Sequence, residues 1–284
     1  DFDRVWPTLA SANATAGRLH VAVMDTGFYF SHPDATGSNI RAAIDECEEY
    51  DPINSRLTTD TVCEPVPPDS GADPLDISHG TMTASEIGAG TNNGIGGVGA
   101  AYDTQVDVYK VMGVYSRSGD GETSGTAVMP ISALVNAVHD ATNASVAKHY
   151  RLVISISLEL LDPLETEVRT LTSAVSHAME RNVVIVAASG NGDENGRALS
   201  TVSYPAAIPG MIAVGAYEVN NGVPARAAYS NYGSALALLA PGSDVWGPTD
   251  PTSPYEGSPR TGYTWWQGTS MAAPYAASAA ALLL

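Results

Sequence analysis

Apolar residues occur along this chain in short, nearly unbroken runs. Leu19–Met24, Val106–Met112, Leu152–Ile156, Val183–Ala188 and Met211–Val214 are apolar at almost every position. A strand wetted on one face alternates between apolar and polar residues, whereas a strand buried on both faces does not. The five runs therefore predict strands of a parallel sheet. Between them, Ile131–His149 and Glu165–Arg181 carry apolar residues at helical spacing. Further helices are expected over Thr81–Ala89, directly after His79, and over the Ala- and Leu-rich stretch Thr269–Leu284. This alternation predicts an α/β fold: a doubly wound, mainly parallel sheet with helices on both faces. No repeat or linker interrupts it, so residues 1–284 are expected to form one domain. Folds of this class bind ligands at the carboxyl ends of the strands. That singles out Asp25 after the first strand, Ser157 and Leu158 after the third, and Gly190 and Asn191 after the fourth.

Composition narrows the function classes. The chain has 284 residues, of which 44% are hydrophobic, enough for one sizeable core. Its net charge is -18, and Lys110 and Lys148 are its only lysines. Phosphate binding needs clustered Lys and Arg, so nucleic acid is excluded as a partner. An acidic, Lys-poor surface suits secretion or a salty medium. The longest apolar stretch, Met271–Leu284, is broken by Pro274 and Ser278 and is too short to span a bilayer. Cys47 and Cys63 lie in a polar, Pro-rich segment with no His or third Cys nearby, which favours a disulfide over a metal site. Such a disulfide would close a loop of about 15 residues, worth roughly 3 kcal/mol, and points to a secreted, extracellular or otherwise oxidising location.

Three motifs carry the candidate chemistry: Asp25-Thr26-Gly27, His79-Gly80-Thr81 and Gly268-Thr269-Ser270-Met271-Ala272-Ala273-Pro274. A serine hydroxyl is a weak nucleophile until a neutral imidazole takes its proton. The imidazole in turn needs a buried carboxylate to fix its tautomer and stabilise its charged form. The order Asp, His, Ser is that of subtilisin, and differs from the orders in chymotrypsin and the α/β-hydrolases. With these motifs and Ala187-Ala188-Ser189-Gly190-Asn191, the chain resembles the subtilisin-like (subtilase) family over nearly its whole length.

The resemblance implies a serine endopeptidase with Ser270 as nucleophile, His79 as general base and Asp25 as its orienter. Asn191 is implied as the side-chain donor to the oxyanion. No cofactor is implied for catalysis. The partner implied is a protein or peptide bound as an extended strand along Ser157-Leu158-Glu159 and along a second segment within Tyr115–Gly121. A pro-segment is a further implied partner, as an inhibitor. Ser157–Leu160 and Ala188–Gly192, Gly190 among them, are expected to wall the pocket for the residue before the cut. Asp34 and the loop Thr91–Gly97 resemble a structural Ca²⁺ site, with ligands from Asp34, Thr91, Asn93, Ile95 and Gly97.

Some positions depart from the family pattern. Met82 and Tyr275 stand where histidines are common. Ser85 and Ser278 replace glycines, and Glu159 stands where glycine is usual. Family domains also continue well past the helix that bears the nucleophile, whereas this sequence ends at Leu284. A domain lacking its C-terminal portion, or a shortened branch, is expected. The competing readings are a catalytically inactive scaffold on the same fold and an esterase; the latter is disfavoured because Ser270 lacks a Gly-x-Ser-x-Gly setting and His79 precedes it.

Overall fold

The computed structural model describes residues 19–35, 37–45, 49–51, 56–58, 75–116, 125–249, 251 and 262–284. Cys47 and Cys63 lie outside the described residues. In chain order the elements begin with β1 (Leu19–Asp25), β2 (Ile40–Asp45), β3 (Glu49–Asp51), β4 (Arg56–Thr58) and α1 (Leu75–Gly88). Next come β5 (Gln105–Lys110), β6 (Gly113–Ser116), β7 (Gly125–Val128), α2 (Ile131–Lys148), β8 (Arg151–Ile156), α3 (Glu165–Met179) and β9 (Val184–Ala188). The chain closes with β10 (Ile212–Asn220), β11 (Val223–Arg226), β12 (Leu236–Pro241), β13 (Val245–Pro248), β14 (Tyr263–Trp266) and α4 (Thr269–Leu283).

The main sheet runs β11-β10-β9-β8-β1-β5-β2, and β12 also pairs with β10. Every ladder is parallel except β10–β11. The chain first runs from β1 out to β2 at the edge, returns to β5 between the two, and then crosses to β8 on the other side of β1. β1 and β8 therefore form the switch point, where a crevice opens at the strands' carboxyl ends. Both faces of the sheet are covered. Ala22 and Met24 of β1 join Leu152, Ile154 and Ile156 of β8 in a core with α2 and α3. Val21 and Val23 join Val153, Val186 and Val214 in a second core with α1 and α4. This two-sided burial is the physical origin of the unbroken apolar runs.

Alternation along the strands also aims the polar residues at their ends. Asp25 follows Val21 and Val23 by the two-residue period, so it faces α1. Ser157 follows Val153 and Ser155, so it faces α4.

The structure differs from the sequence expectation in several bounds. α1 begins at Leu75, so His79 lies within the helix rather than before it. Glycine is a poor interior helix residue, but Gly80 is required here by contact. A β-carbon at Gly80 would stand 2.1 Å from the carbonyl oxygen of Gly27. β10 extends to Asn220 because its far half pairs with β11. β2, whose apolar run is broken by Arg41, and β12, whose run Ala235–Ala240 is not among the five predicted strands, complete the sheet.

Candidate active site

Asp25 ends β1 fully buried. Its Oδ1 accepts from the backbone N–H of Thr26 at 2.7 Å and lies 2.7 Å from Nδ1 of His79. Its Oδ2 accepts from the Thr83 hydroxyl at 3.0 Å. Thr83 is four residues beyond His79 on α1 and so shares its face. The Gly80 N–H donates to Thr26 Oγ1 at 3.0 Å, locking the start of α1 onto the end of β1. With Nδ1–H given to Asp25, the imidazole carries its free lone pair on Nε2.

The His79 ring keeps 26% of its surface exposed. Burial of the rest opposes protonation, but the charge and hydrogen bond of Asp25 outweigh it. The imidazole pKa is raised above its ordinary value of 6.5. Trp266 stands edge-on to the ring, with centroids 6.3 Å apart.

Ser270 is the second residue of α4. Gly268 caps the helix at φ 144°, ψ 160°, a backbone that favours glycine. The first N–H groups of a helix have no partner within it. Here the Thr269 N–H donates to Asn191 Oδ1 at 2.8 Å, and the Thr269 hydroxyl lies 3.0 Å from the same oxygen. Asn191 is thereby oriented, and among the described residues its Nδ2 has no acceptor. The Ser270 N–H also lacks an acceptor among the described residues. Two N–H donors are thus available at the positive end of α4, the arrangement that stabilises an anion.

The single hydroxyl proton of Ser270 goes to the carbonyl of Ser157 at 2.9 Å, not to His79, and the Ser157 hydroxyl returns a bond to the Ser270 carbonyl at 2.9 Å. Proton transfer from Ser270 to His79 therefore requires rotation about the serine side-chain bond.

A profile of the subtilase family matches residues 17–284. The chain belongs to the subtilase family. This subtilase is 34% identical over 277 residues to Subtilisin Savinase of Lederbergia lenta, spanning 98% of itself and 80% of that protein. It is 32% identical over 278 residues to Subtilisin E of Bacillus subtilis (strain 168), spanning 98% of itself and 58% of that protein. It covers 51% of a thermophilic serine proteinase of Bacillus sp. (strain AK1), so it spans about half the length of some relatives it matches. Among solved structures, a protease of Pseudoalteromonas arctica superposes with a TM-score of 0.67 at 28% identity, covering 97% of this chain and 80% of that one. Fervidolysin from Fervidobacterium pennivorans superposes with a TM-score of 0.66 at 26% identity, covering 98% of this chain and 37% of that one.

The structure of this subtilase brings further residues together. Leu160 N donates to Tyr204 O at 2.8 Å, fixing the far end of the Ser157–Leu160 segment. Asn231 is fully buried and clips three segments. Its N–H donates to Gly190 O at 3.0 Å, its Oδ1 accepts from Leu199 N at 2.7 Å, and its Nδ2 donates to Ser203 Oγ at 3.0 Å. The second expected substrate segment begins in β6, one edge of which is taken by β7; positions 117–121 of it lie outside the described residues.

Asp34 is buried, and its Oδ1 accepts from the Tyr263 hydroxyl at 3.1 Å. Its Oδ2 faces the Gly97 N–H at 3.5 Å. A β-carbon on Gly96 would lie 2.0 Å from the Asp34 carboxylate, so the glycine loop is packed directly onto it. Asn93 Oδ1 accepts from Ile95 N at 3.0 Å. Burial raises the Asp34 pKa in spite of the Tyr263 and Gly97 hydrogen bonds and the His32 charge. A cation bound beside Asp34 would compensate its buried charge. Among the described residues no group of three His, Cys, Asp or Glu converges, so main-chain carbonyls would have to complete such a site.

Sequence reasoning missed Thr83, Trp266, Asn231 and Glu86. Thr83 was within reach, since its spacing from His79 puts it on one helix face. The others come close only through tertiary packing. Both carboxylate oxygens of Glu86 are buried without a hydrogen-bond partner among the described residues. Burial first, and the Asp25 charge second, push its carboxyl well above the ordinary value of 4.5. Burial and the Glu86 charge likewise push the Tyr275 phenol up.

Proposed function

We propose that this chain is a serine endopeptidase acting through an acyl-enzyme at Ser270, in one catalytic domain. The observation that carries this reading is the His79 ring, held by the buried Asp25 carboxylate at 2.7 Å; Ser270, the second residue of α4, is the nucleophile it would serve. A peptide lies extended along Ser157–Glu159, adding a strand to that segment. Ser270 Oγ turns from Ser157 O toward His79, loses its proton to Nε2 and bonds to the scissile carbonyl carbon. The carbonyl oxygen becomes an oxyanion, held by Asn191 Nδ2–H and the Ser270 N–H. Asp25 stabilises the imidazolium without taking its proton. As the C–N bond breaks, His79 gives the proton to the leaving amine. Water then attacks the acyl-enzyme by the same steps in reverse, releasing the acid and restoring Ser270.

Substrates are proteins and peptides, met outside the cell or in another oxidising compartment. Among the described residues no helix is long and apolar enough to cross a membrane. A pro-segment would fill the same cleft as an inhibitor. A structural Ca²⁺ would be held by Asp34, Asn93 and the carbonyls of Thr91, Ile95 and Gly97. It would fix the loop and take no part in the chemistry.

The test is hydrolysis of a mixed-sequence fluorogenic peptide library. Wild-type protein cleaves it. Ser270→Ala and His79→Ala reduce kcat by at least about 10³-fold with the fold intact. Cleavage that survives Ser270→Ala would reject the assignment.

A further inference from the structure

The pocket expected for the residue before the scissile bond has an unusual polar focus. Three side-chain atoms converge on one face of Gly190, which has φ 101°. A β-carbon there would lie 2.4 Å from Asn231 Nδ2, 2.6 Å from Ser203 Oγ and 2.8 Å from Glu159 Oε1. The Glu159 carboxylate thus reaches across from the wall that follows β8 to the wall that follows β9. It does not extend away into solvent. The surroundings are fixed by main-chain bonds, Ser203 N to Ser189 O at 3.0 Å and Leu160 N to Tyr204 O at 2.8 Å. The two walls are therefore tied in place without substrate.

Among the described residues the charge in it has no counter-ion. Asn231 Nδ2 is committed to Ser203. Among the described residues, no hydrogen bond or ion pair engages Glu159. The Arg–Glu pairs present, Arg169–Glu165 and Arg181–Glu180, lie on and just after α3. An apolar side chain entering this pocket would strip water from the carboxylate and return nothing. A long cationic side chain would lay its aliphatic stem along the walls and place its head on Glu159.

We infer that Glu159 makes this pocket selective for Lys or Arg as the residue before the cleaved bond. This rests on the proposed serine endopeptidase activity, whose failure the experiment separates. The substrates are fluorogenic peptides identical except for Arg, Lys, Leu, Phe or Glu before the cleavable amide. They are assayed with wild-type protein, Glu159→Gln and Glu159→Lys, each checked for folding by thermal melting and for Ser270 labelling by a fluorophosphonate. Wild type is expected to favour Arg and Lys over Leu and Phe in kcat/KM by about 10- to 100-fold, the scale of a charge-assisted hydrogen bond in a partly desolvated site. Glu159→Gln should bring the ratio to within about threefold, and Glu159→Lys should favour Glu. Equal cleavage after Leu and Arg by the wild type, or a basic preference that survives Glu159→Gln, overturns the inference and leaves the peptidase standing. A folded protein that cleaves none of the peptides and is not labelled at Ser270 overturns both.

Discussion

At the residue scale, Asp25 tunes His79 in two ways. It fixes the tautomer that leaves Nε2 free, and it raises the imidazole pKa above 6.5 against the opposing effect of burial. The general base must be neutral, so activity is lost as pH falls through this raised value. The acid limb of kcat/KM should therefore lie above the ordinary histidine range. Asp25→Asn should move the limb to lower pH while cutting kcat by about 10⁴-fold, the loss known for that exchange in a serine protease triad. A pH profile of both proteins checks this; an unshifted limb in Asp25→Asn would show that another group sets it. Asp25, His79, Asn191 and Ser270 were legible because each sits in a short motif at a strand end or helix start. Thr83 needed only helical spacing to find. Asn231 and Ser203 were not legible, since they touch Gly190 from segments distant in sequence and carry no local pattern.

At the element scale, the contact between β1 and α1 depends on Gly80 meeting Gly27, a closeness any side chain would prevent. Behind it, α1 carries Glu86, which faces Asp25 and, on α4, Tyr275. The hydroxyls of Ser85 and Ser278 are also buried without hydrogen-bond partners among the described residues. The folded protein holds the Glu86 proton at pH values where the unfolded chain has lost it. Unfolding in that window releases a proton, so stability falls as pH rises from about the ordinary value of 4.5 upward. Glu86→Gln removes this dependence. Its melting temperature should exceed that of wild type by an amount that grows as pH rises above about 4.5, read by calorimetry; a constant difference would mean that the folded state does not hold the Glu86 proton. The apolar runs revealed the central strands because both of their faces are buried. β11 escaped notice because its residues are largely exposed, and α1 appeared too short because Gly80 breaks a helical pattern that the tertiary contact requires.

At the scale of the whole molecule, the sheet order places β1 and β8 at the switch point, and their alternation turns Asp25 toward α1 and Ser157 toward α4. One topological fact thus assembles residues from opposite ends of the chain. The glycine loop over Asp34 ties the segment after β1 to β14 through Tyr263. Adding millimolar Ca²⁺ should raise the melting temperature and EDTA should lower it, with Asp34→Asn insensitive to both. A wild type indifferent to EDTA would remove calcium from the account. The central claim, an activated serine at the start of α4, is tested most directly by a fluorophosphonate and mass spectrometry. One adduct on Ser270, absent from Ser270→Ala and slowed by His79→Ala, is the predicted result. A folded protein that remains unlabelled would contradict it and make the chain a non-catalytic scaffold on a subtilase fold.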